Sequence, residues 1–344
     1  MDRQTPVVFI HRGHGWYLPY TIHQALHACA GGSVVLLTDH LPHGERFGAA
    51  RVDDIDRYSS RLAREFVRSY VHMSTHSEAY ELFCWLRWFH LLEFMEENGH
   101  DDVLYLDSDV MLYASQAQIA ATHGSRLKQC AYIVPEQGGD VFCGCPSAHT
   151  SYWTVDALAD FCRFSIETFQ DKGLLDHYRS KWAWHVDHGA PGGVCDMTTL
   201  TLFYQARGEE ITNWATVVDS STFDHSMNAS SNYRDDEYEM QGGMKRVTID
   251  GGRPYLTPRR PGAPAVAAHT LHFQGRAKRC LPLYYTGAAF TYKIVHDLRW
   301  TAKESMRAIS RMSRIQRPDW IETPIQTAGK ETHEETPKQT VDSG

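Results

Sequence analysis

Two short clusters of residues carry the chemistry in this chain of 344 residues. The first is Asp107-Ser108-Asp109, which follows the apolar run Val103–Leu106 (VLYL). Its spacing alone means little, because 24 aspartates in 344 residues give about 1.7 such pairs by chance. A second pair, Asp54-Ile55-Asp56, is indeed present and reads as a solvated polar stretch. Context separates the two. Asp107 ends a predicted buried strand, and open α/β sheets bind ligands at the carboxyl ends of their strands. Two carboxylates there, with no basic neighbour, repel each other and call for a cation. Hard oxygen donors favour Mg²⁺ or Mn²⁺, shared with the phosphates of a substrate. The competing reading is a strand-end turn whose acids cap a helix.

The second cluster is His272-Phe273-Gln274-Gly275-Arg276-Ala277-Lys278. A His-x-x-Gly-x-x-Lys pattern arises from this composition roughly 0.04 times by chance, and it too follows a predicted strand. His272 would complete a two-aspartate, one-histidine site, and an imidazole tilts the choice from Mg²⁺ toward Mn²⁺. Gly275 would let backbone N–H groups approach a phosphate, and Lys278 would add a point charge. Standing alone, the pattern is also what a core histidine beside a loop lysine would give.

Positioning these clusters requires a sheet. Val7–His11 reads as a buried strand, Leu18–Ala30 as a helix with Pro19 in its first turn, and Ser33–Thr38 as a second strand. A strand, a helix and a strand within about 30 residues form a βαβ unit, so a parallel α/β sheet is expected. Helices are expected over Tyr58–Tyr70, Ser77–Asn98, Tyr152–Gln170 and Asp196–Ala206, and strands over Cys130–Val134 and Ile211–Val218. Asp250-Gly251-Gly252 between Lys245–Ile249 and Pro254–Thr257 signals a hairpin, and Ala265–Phe273 is the last strand. A terminal helix at about 293–316, with its clearest run at Thr301–Gln316, carries Lys303, Arg307, Arg311 and Arg314. The expected organisation is one domain over 1–317 and a disordered acidic tail over 318–344.

Composition excludes several classes. With 42% apolar and 12% aromatic residues the chain can build a large core, and its formal charge of −8 offers nothing to nucleic acid. No apolar run approaches the ~20 residues that a bilayer span needs. The apolar stretch of five residues ending at Ile10 is too short for a signal peptide. The eight cysteines include no Cys-x-x-Cys pair; reduced thiols and a cytoplasmic location are expected. Peripheral contact with anionic lipid through the Arg-bearing terminal helix is a further option.

Taken together, the two clusters resemble the GT-A glycosyltransferases, most closely family 8, the glycogenin and bacterial lipopolysaccharide galactosyltransferase group. The resemblance covers about residues 6–285 and rests on these short motifs. It implies a GT-A-like nucleotide-diphospho-sugar transferase fold, α/β with a mixed, mostly parallel central sheet flanked by helices. It also implies transfer from a nucleotide-diphosphate sugar, UDP-sugar ahead of GDP-sugar, to an acceptor of unknown type, with retention of configuration. The implied metal is Mn²⁺ or Mg²⁺ on Asp107, Asp109 and His272. Ser108, Gly275 and Lys278 would lie against the diphosphate. Arg87, the one charge in CWLRWF, matches an arginine that the family places on the helix before its D-x-D. It would meet the donor phosphates or pair with a core carboxylate.

Asp196, in GGVCDMTTL, stands where the family has an aspartate facing donor or acceptor sugar, although Met197 replaces the glutamine that usually follows. Its other reading is a helix N-cap. Phe142-Cys143-Gly144-Cys145 resembles the loop that lies over the donor, with Cys in place of Asn or Ser. The family's base-binding Asp and Tyr match HRGHGWYLPY incompletely: Tyr17 or Tyr20 fits, but Gly13 or His14 stands near the expected Asp. His11, Arg12, Thr38 and Asp39 are the remaining nucleoside neighbours. His72 and His76 lack the Glu of a zinc-protease motif. Trp182–His188 offers the residues of a second metal cluster, but reads better as an aromatic loop stacked on an acceptor and best as an ordinary packed loop. The rival classes are a non-catalytic nucleotide-sugar-binding protein and a nucleotidyltransferase. A haloacid-dehalogenase-like phosphatase is disfavoured, because its aspartates belong on the first strand with Thr following.

Overall fold

Unbroken runs of Val, Ile and Leu make strands buried on both faces, and such runs form the centre of this protein. The computed structural model describes residues 5–30, 32–40, 47–137, 146–295, 297 and 298. The chain divides into two compact units, Met1–Lys293 and Ile294–Gly344, and the three sheets among the described residues, of seven, five and two strands, all lie in the first. The expected helix over 301–316, the tail over 318–344 and the segment 142–145 lie outside the described residues.

Strand β1 (Val7–His11) is followed by helix α1 (Leu18–Cys29) and then by β2 (Val34–Thr38) in parallel register beside it. Beyond β2 lies the short polar edge strand β3 (Arg51–Asp54). Helices α2 (Arg61–Ser69) and α3 (Glu78–Asn98) lead into β4 (Asp102–Asp107), parallel to β1 on its other side. Gly99 ends α3 in the left-handed conformation, its N–H bonded to the carbonyls of Met95 and Glu96. The chain then forms β5 (Val110–Leu112), α4 (Gln116–His123), β6 (Cys130–Ile133) and β7 (Ser147–Thr154). Helices α5 (Val155–Gln170), α6 (Lys172–Asp187) and α7 (Asp196–Arg207) precede β8 (Ile211–Asn213).

Among the described residues the main sheet runs β3-β2-β1-β4-β7-β6-β8. Every pair is parallel except the two that β7 makes. Alternate residues of β1 feed opposite cores. Val8 and Ile10 pack with Trp85, Phe89 and Phe161 of α3 and α5, whereas Val7 and Phe9 pack with Ile22 and Ala25 of α1. Each such large side chain, once buried, contributes about 1.5–3 kcal/mol.

A second sheet holds the rest of the site. After β9 (Ser221–Phe223) come the ribbon β10 (Met240–Gln241) and β11 (Met244–Lys245), the hairpin β12 (Val247–Asp250) and β13 (Arg253–Leu256), and β14 (Val266–His272). Their order is β12-β13-β14-β5, with β9 parallel to β14. The hairpin turns through Gly251 and Gly252 at φ 55° and 78°, the left-handed pair of a tight two-residue loop.

The mixed, mostly parallel α/β sheet flanked by helices is therefore as expected, while several elements differ. Tyr152 belongs to β7, so the helix expected from Tyr152 starts at Val155, where the Thr154 hydroxyl caps it. The expected Tyr58–Tyr70 helix starts after the Ser60 cap. The strand expected over Ile211–Val218 stops at Asn213, whose side-chain oxygen turns the chain by accepting from Ala215 N. Trp182–Asp187 is the last part of α6 rather than a loop. No described helix is long and apolar enough to cross a membrane.

Candidate active site

The main sheet and the second sheet meet at the first cluster. Asp107 ends β4 in the main sheet, Ser108 and Asp109 turn the chain, and β5 begins the other sheet at Val110. There β5 pairs antiparallel with β14, and the register sets His272 opposite Val110. The Phe273 N–H donates to the Asp109 carbonyl at 3.0 Å. Two segments far apart in sequence are thus brought side by side by backbone pairing. Asp107, Asp109 and His272 each offer a ligand atom within 4.8 Å of the others.

The electrostatics of this group are tightly bound up with its burial. Asp109 is 8% exposed, and burial works against its charge. His272 Nε2 at 3.6 Å and Lys278 Nζ at 2.8 Å outweigh burial and hold its carboxyl well below the usual range. Burial likewise opposes a charge on His272, and Asp109 reverses the balance, raising that imidazole's pKa. His272 Nδ1 lies 2.7 Å from the His225 carbonyl. A carbonyl oxygen only accepts, so Nδ1 carries the proton and, in the neutral ring, Nε2 presents its lone pair toward Asp109. Metal-bound histidines use this arrangement. Two carboxylates and an imidazole nitrogen fit one divalent cation of the Mn²⁺ or Mg²⁺ type.

Arg87 lies behind the pair of acids. Its two terminal nitrogens bond Asp107 Oδ1 and Asp196 Oδ2, each at 2.6 Å. Arg87 and Asp196, read separately in the sequence, thereby meet in one cluster. Arg87 is paired with core carboxylates and also lines the cavity in front of Asp107. Asp196, 3% exposed, lies on the first turn of α7 and accepts a further bond from Trp88 Nε1 at 3.0 Å. Cys195, not Asp196, is the residue before the helix. Gly193 permits this placement, because a Cβ there would lie 2.4 Å from the Met73 carbonyl oxygen.

Two cavities flank the triad. One, of about 460 Å³, is lined by His11, Tyr17, Arg87, Asp107, Ser108, Asp109 and Lys278, with Tyr80 and Phe83 opposite. The other, of about 620 Å³, is lined by His272 with Met197, His225, Tyr233 and Gln274. Within the first, His11 Nδ1 and the Tyr17 hydroxyl contact Ser108 Oγ at 3.0 and 3.3 Å. Lys278 Nζ stands 5.3 Å from the Tyr17 ring centre. Asp39 lines neither cavity. Its carboxylate takes the Gly13 N–H at 2.7 Å and holds the loop after β1. Arg12 pairs with Asp56 at 3.0 Å. Gly275 has φ 56°, a left-handed residue at which the chain leaves β14 and turns toward Lys278.

Several residues of the site went unread in the sequence. The Tyr105 hydroxyl donates to Asp107 Oδ1 at 2.6 Å; its place two residues earlier on the same strand face was the one signal for it. Asp224, Lys245, His149 and Asn232, all buried beneath His272, carry no motif and no periodicity.

No family model and no curated protein matches the chain. Solved structures do. The apo structure of the bifunctional glycosyltransferase WbbM matches with a TM-score of 0.46 and 10% identity, covering 86% of this chain and 51% of that one. This chain thus spans about half the length of WbbM. The galactosyltransferase LgtC, in complex with donor and acceptor sugar analogues, gives 0.43 and 14%, covering 83% of this chain and 98% of that one. Mouse xyloside xylosyltransferase 1 in its apo form gives 0.40 and 11%, covering 61% and 84%. Overlaps of this degree assign neither a family nor a substrate.

Proposed function

We propose that the chain is a metal-dependent glycosyltransferase of the GT-A type. It would move a sugar from a nucleotide-diphosphate sugar, UDP-sugar first, to an acceptor, with retention as the family resemblance implies. The observation that carries this reading is the convergence of Asp107, Asp109 and His272 with Lys278 between two cavities. A two-substrate transfer needs such an arrangement: a donor in the cavity of His11, Tyr17 and Lys278, and an acceptor in that of Met197 and Tyr233. The triad would lie where they meet. We place the protein in the cytoplasm, in line with the six free cysteines among the described residues.

In this mechanism Asp107, Asp109 and His272 would hold the divalent cation, which supplies charge neutralisation to the diphosphate when bound. Lys278 and the backbone at Gly275 would stabilise the charge on the departing nucleotide. One well-placed donor of that kind lowers the barrier by about 3 kcal/mol. Arg87 would hold Asp107 in line from one side and Asp196 from the other, with its face toward the donor cavity. Ser108, fixed by His11 and Tyr17, keeps the turn between the two acids in one shape. Asp39 would act one step away, shaping the loop beside the nucleoside.

The test is nucleotide release from UDP- and GDP-sugars with Mn²⁺, Mg²⁺ or EDTA, for the parent chain and Asp109→Asn. Metal-dependent release from one donor, lost in Asp109→Asn with unchanged circular dichroism, is expected. Binding of UDP or GDP with Mn²⁺ but no release, even with acceptor mixtures, would favour a non-catalytic binder. Activity that survives Asp109→Asn would remove the metal assignment.

A further inference from the structure

Lys245, at the end of β11, has a fully buried side chain. Its ammonium bonds Asp224 Oδ1 at 2.6 Å, Asn232 Oδ1 at 2.8 Å and the carbonyls of Ser226 and Ser231 at 2.9 Å each. Asp224 is equally buried. A charge pair removed from water in this way is costly unless its geometry is nearly complete. Neither residue lines either cavity of the active site, so neither can touch a substrate there.

What the pair does touch is His272, by three routes. Asp224 Oδ2 accepts the His272 backbone N–H at 3.0 Å. Asn232 Oδ1, shared with Lys245, also accepts the His225 N–H at 2.9 Å, and the His225 carbonyl takes the His272 Nδ1 proton. The backbone N–H of Lys245 donates to the Met227 carbonyl at 2.8 Å, and the Met227 N–H donates to the His272 carbonyl at 2.9 Å. One face of the imidazole is covered as well. His149 stacks on it with centres 4.0 Å apart, its own Nε2 bonded to the Asp224 carbonyl at 3.0 Å. The ion-pair side chains thus reach the His272 backbone through Asp224 and its ring edge through Asn232 and His225, while the main chain of the same two residues supports its carbonyl and, through His149, its ring face.

We propose that Lys245 and Asp224 are positioning residues for the cation site, fixing the tautomer and direction of His272 so that Nε2 faces Asp109. This rests on the reading of Asp107, Asp109 and His272 as metal ligands. Partners that orient a ligand in this manner typically change metal affinity by about 10–100-fold when removed.

The experiment measures Mn²⁺ binding to the full chain by electron paramagnetic resonance of the free ion. The proteins are the parent, His272→Ala, Lys245→Met and the charge-neutral pair Asp224→Asn/Lys245→Met. The neutral pair leaves no stranded carboxylate and is the variant to rely on if Lys245→Met does not fold. Mn²⁺ affinity about 10–100-fold below the parent in the folded neutral pair is expected. A parent that binds Mn²⁺ alongside a folded neutral pair that binds it within about threefold would overturn the positioning role alone. A parent that binds no Mn²⁺, whether UDP is absent or present, would overturn the metal reading, and this proposal with it. A second measurement needs no substitution of the pair: ¹⁵N-histidine spectra of the metal-free parent at alkaline pH, with His272→Ala for assignment. The proton on Nδ1 of His272 supports the proposal, and the proton on Nε2 refutes it.

Discussion

Replacing Arg87 by Met would separate its structural pairing from the role proposed for it toward the donor. In the native protein Arg87 is 15% exposed and bridges Asp107, 25% exposed, and Asp196, 4% exposed. The substitution strands Asp196 with Trp88 Nε1 as its one remaining side-chain donor among the described residues. Removing one partner of a buried pair costs about 3–5 kcal/mol. Asp107 adds little, about 0–1 kcal/mol, because it is more exposed and keeps the Tyr105 hydroxyl. The expected loss is therefore about 3–5 kcal/mol, nearly all of it through Asp196. Removing the stranded charge as well, in Arg87→Met/Asp196→Asn, should recover part of that loss, a coupling of about 1–3 kcal/mol. Urea unfolding of the parent, both single variants and the double variant measures it, with the slope of each transition checked for constancy. A cost below about 1 kcal/mol for Arg87→Met, or strict additivity of the two substitutions, would refute the structural pairing. Arg87 would then be left with a role toward the donor alone.

Three other perturbations test the frame around the site. Gly193→Ala puts a methyl group 2.4 Å from the Met73 carbonyl oxygen and 2.6 Å from Ser74 Cα, and should cost about 1–3 kcal/mol; an unchanged melting temperature would contradict the close approach. Burial draws His123 down to about 4 and His269 to about 3, below the unfolded value of about 6.5. The unfolded chain therefore takes up protons first, and stability present above pH ~6.5 falls as pH drops toward 4, by up to about 1.4 kcal/mol per unit for each histidine. The difference between urea midpoints at pH 7 and 5 should shrink in His123→Leu/His269→Leu, with the buried His90, His149 and His225 keeping the rest of it, and a variant that keeps the full slope would count against the assignment. Burial pushes the Cys29 thiol up to about 11, so iodoacetamide at pH 8 should leave it unlabelled until the chain unfolds; rapid labelling of the native protein would show otherwise.

Legibility in the sequence followed burial pattern. β1, β2, β4 and β14 are apolar runs and could be read as strands, and the helix ends at Gly99 and around Pro19 were marked by their own residues. β7 could not be read, because SAHTSYWT is polar in composition yet mostly buried, with the Ser147 and Ser151 hydroxyls and His149 bonded inside the fold. α6 buries only Tyr178 and Lys181 fully, so its pattern is weak. Asp107 and Asp109 were legible from their place at the end of a buried strand, and His272 from a His-x-x-Gly-x-x-Lys spacing that is rare by chance. The pairings of Arg87 with Asp107 and Asp196, and of Lys245 with Asp224, were not, since both depend on the register of strands and helices far apart in the chain. Asp39 shows the same limit: its strand-end position was legible, but the bond its carboxylate accepts from the Gly13 N–H was not.

The charges of the site carry a last consequence for binding order. Asp107 and Asp196 share Arg87, and Asp109 holds Lys278 at 2.8 Å, so the acids are already largely neutralised from within. A cation approaching alone must compete with Lys278 for Asp109. Arg87 is enclosed, whereas the Lys278 side chain is 29% exposed and can swing to a phosphate, freeing the carboxylate as it goes. Mn²⁺ and a nucleoside diphosphate should therefore bind cooperatively, each raising the other's affinity by the same factor, typically about 5–150-fold for coupled sites. Lys278→Ala inverts the pattern: Mn²⁺ alone should bind more tightly than to the parent, while the gain from UDP shrinks. Calorimetric titrations of Mn²⁺ with and without UDP, on both proteins, decide it. If Lys278→Ala weakened Mn²⁺ binding in the absence of nucleotide, Lys278 would be supporting the cation site rather than competing for it.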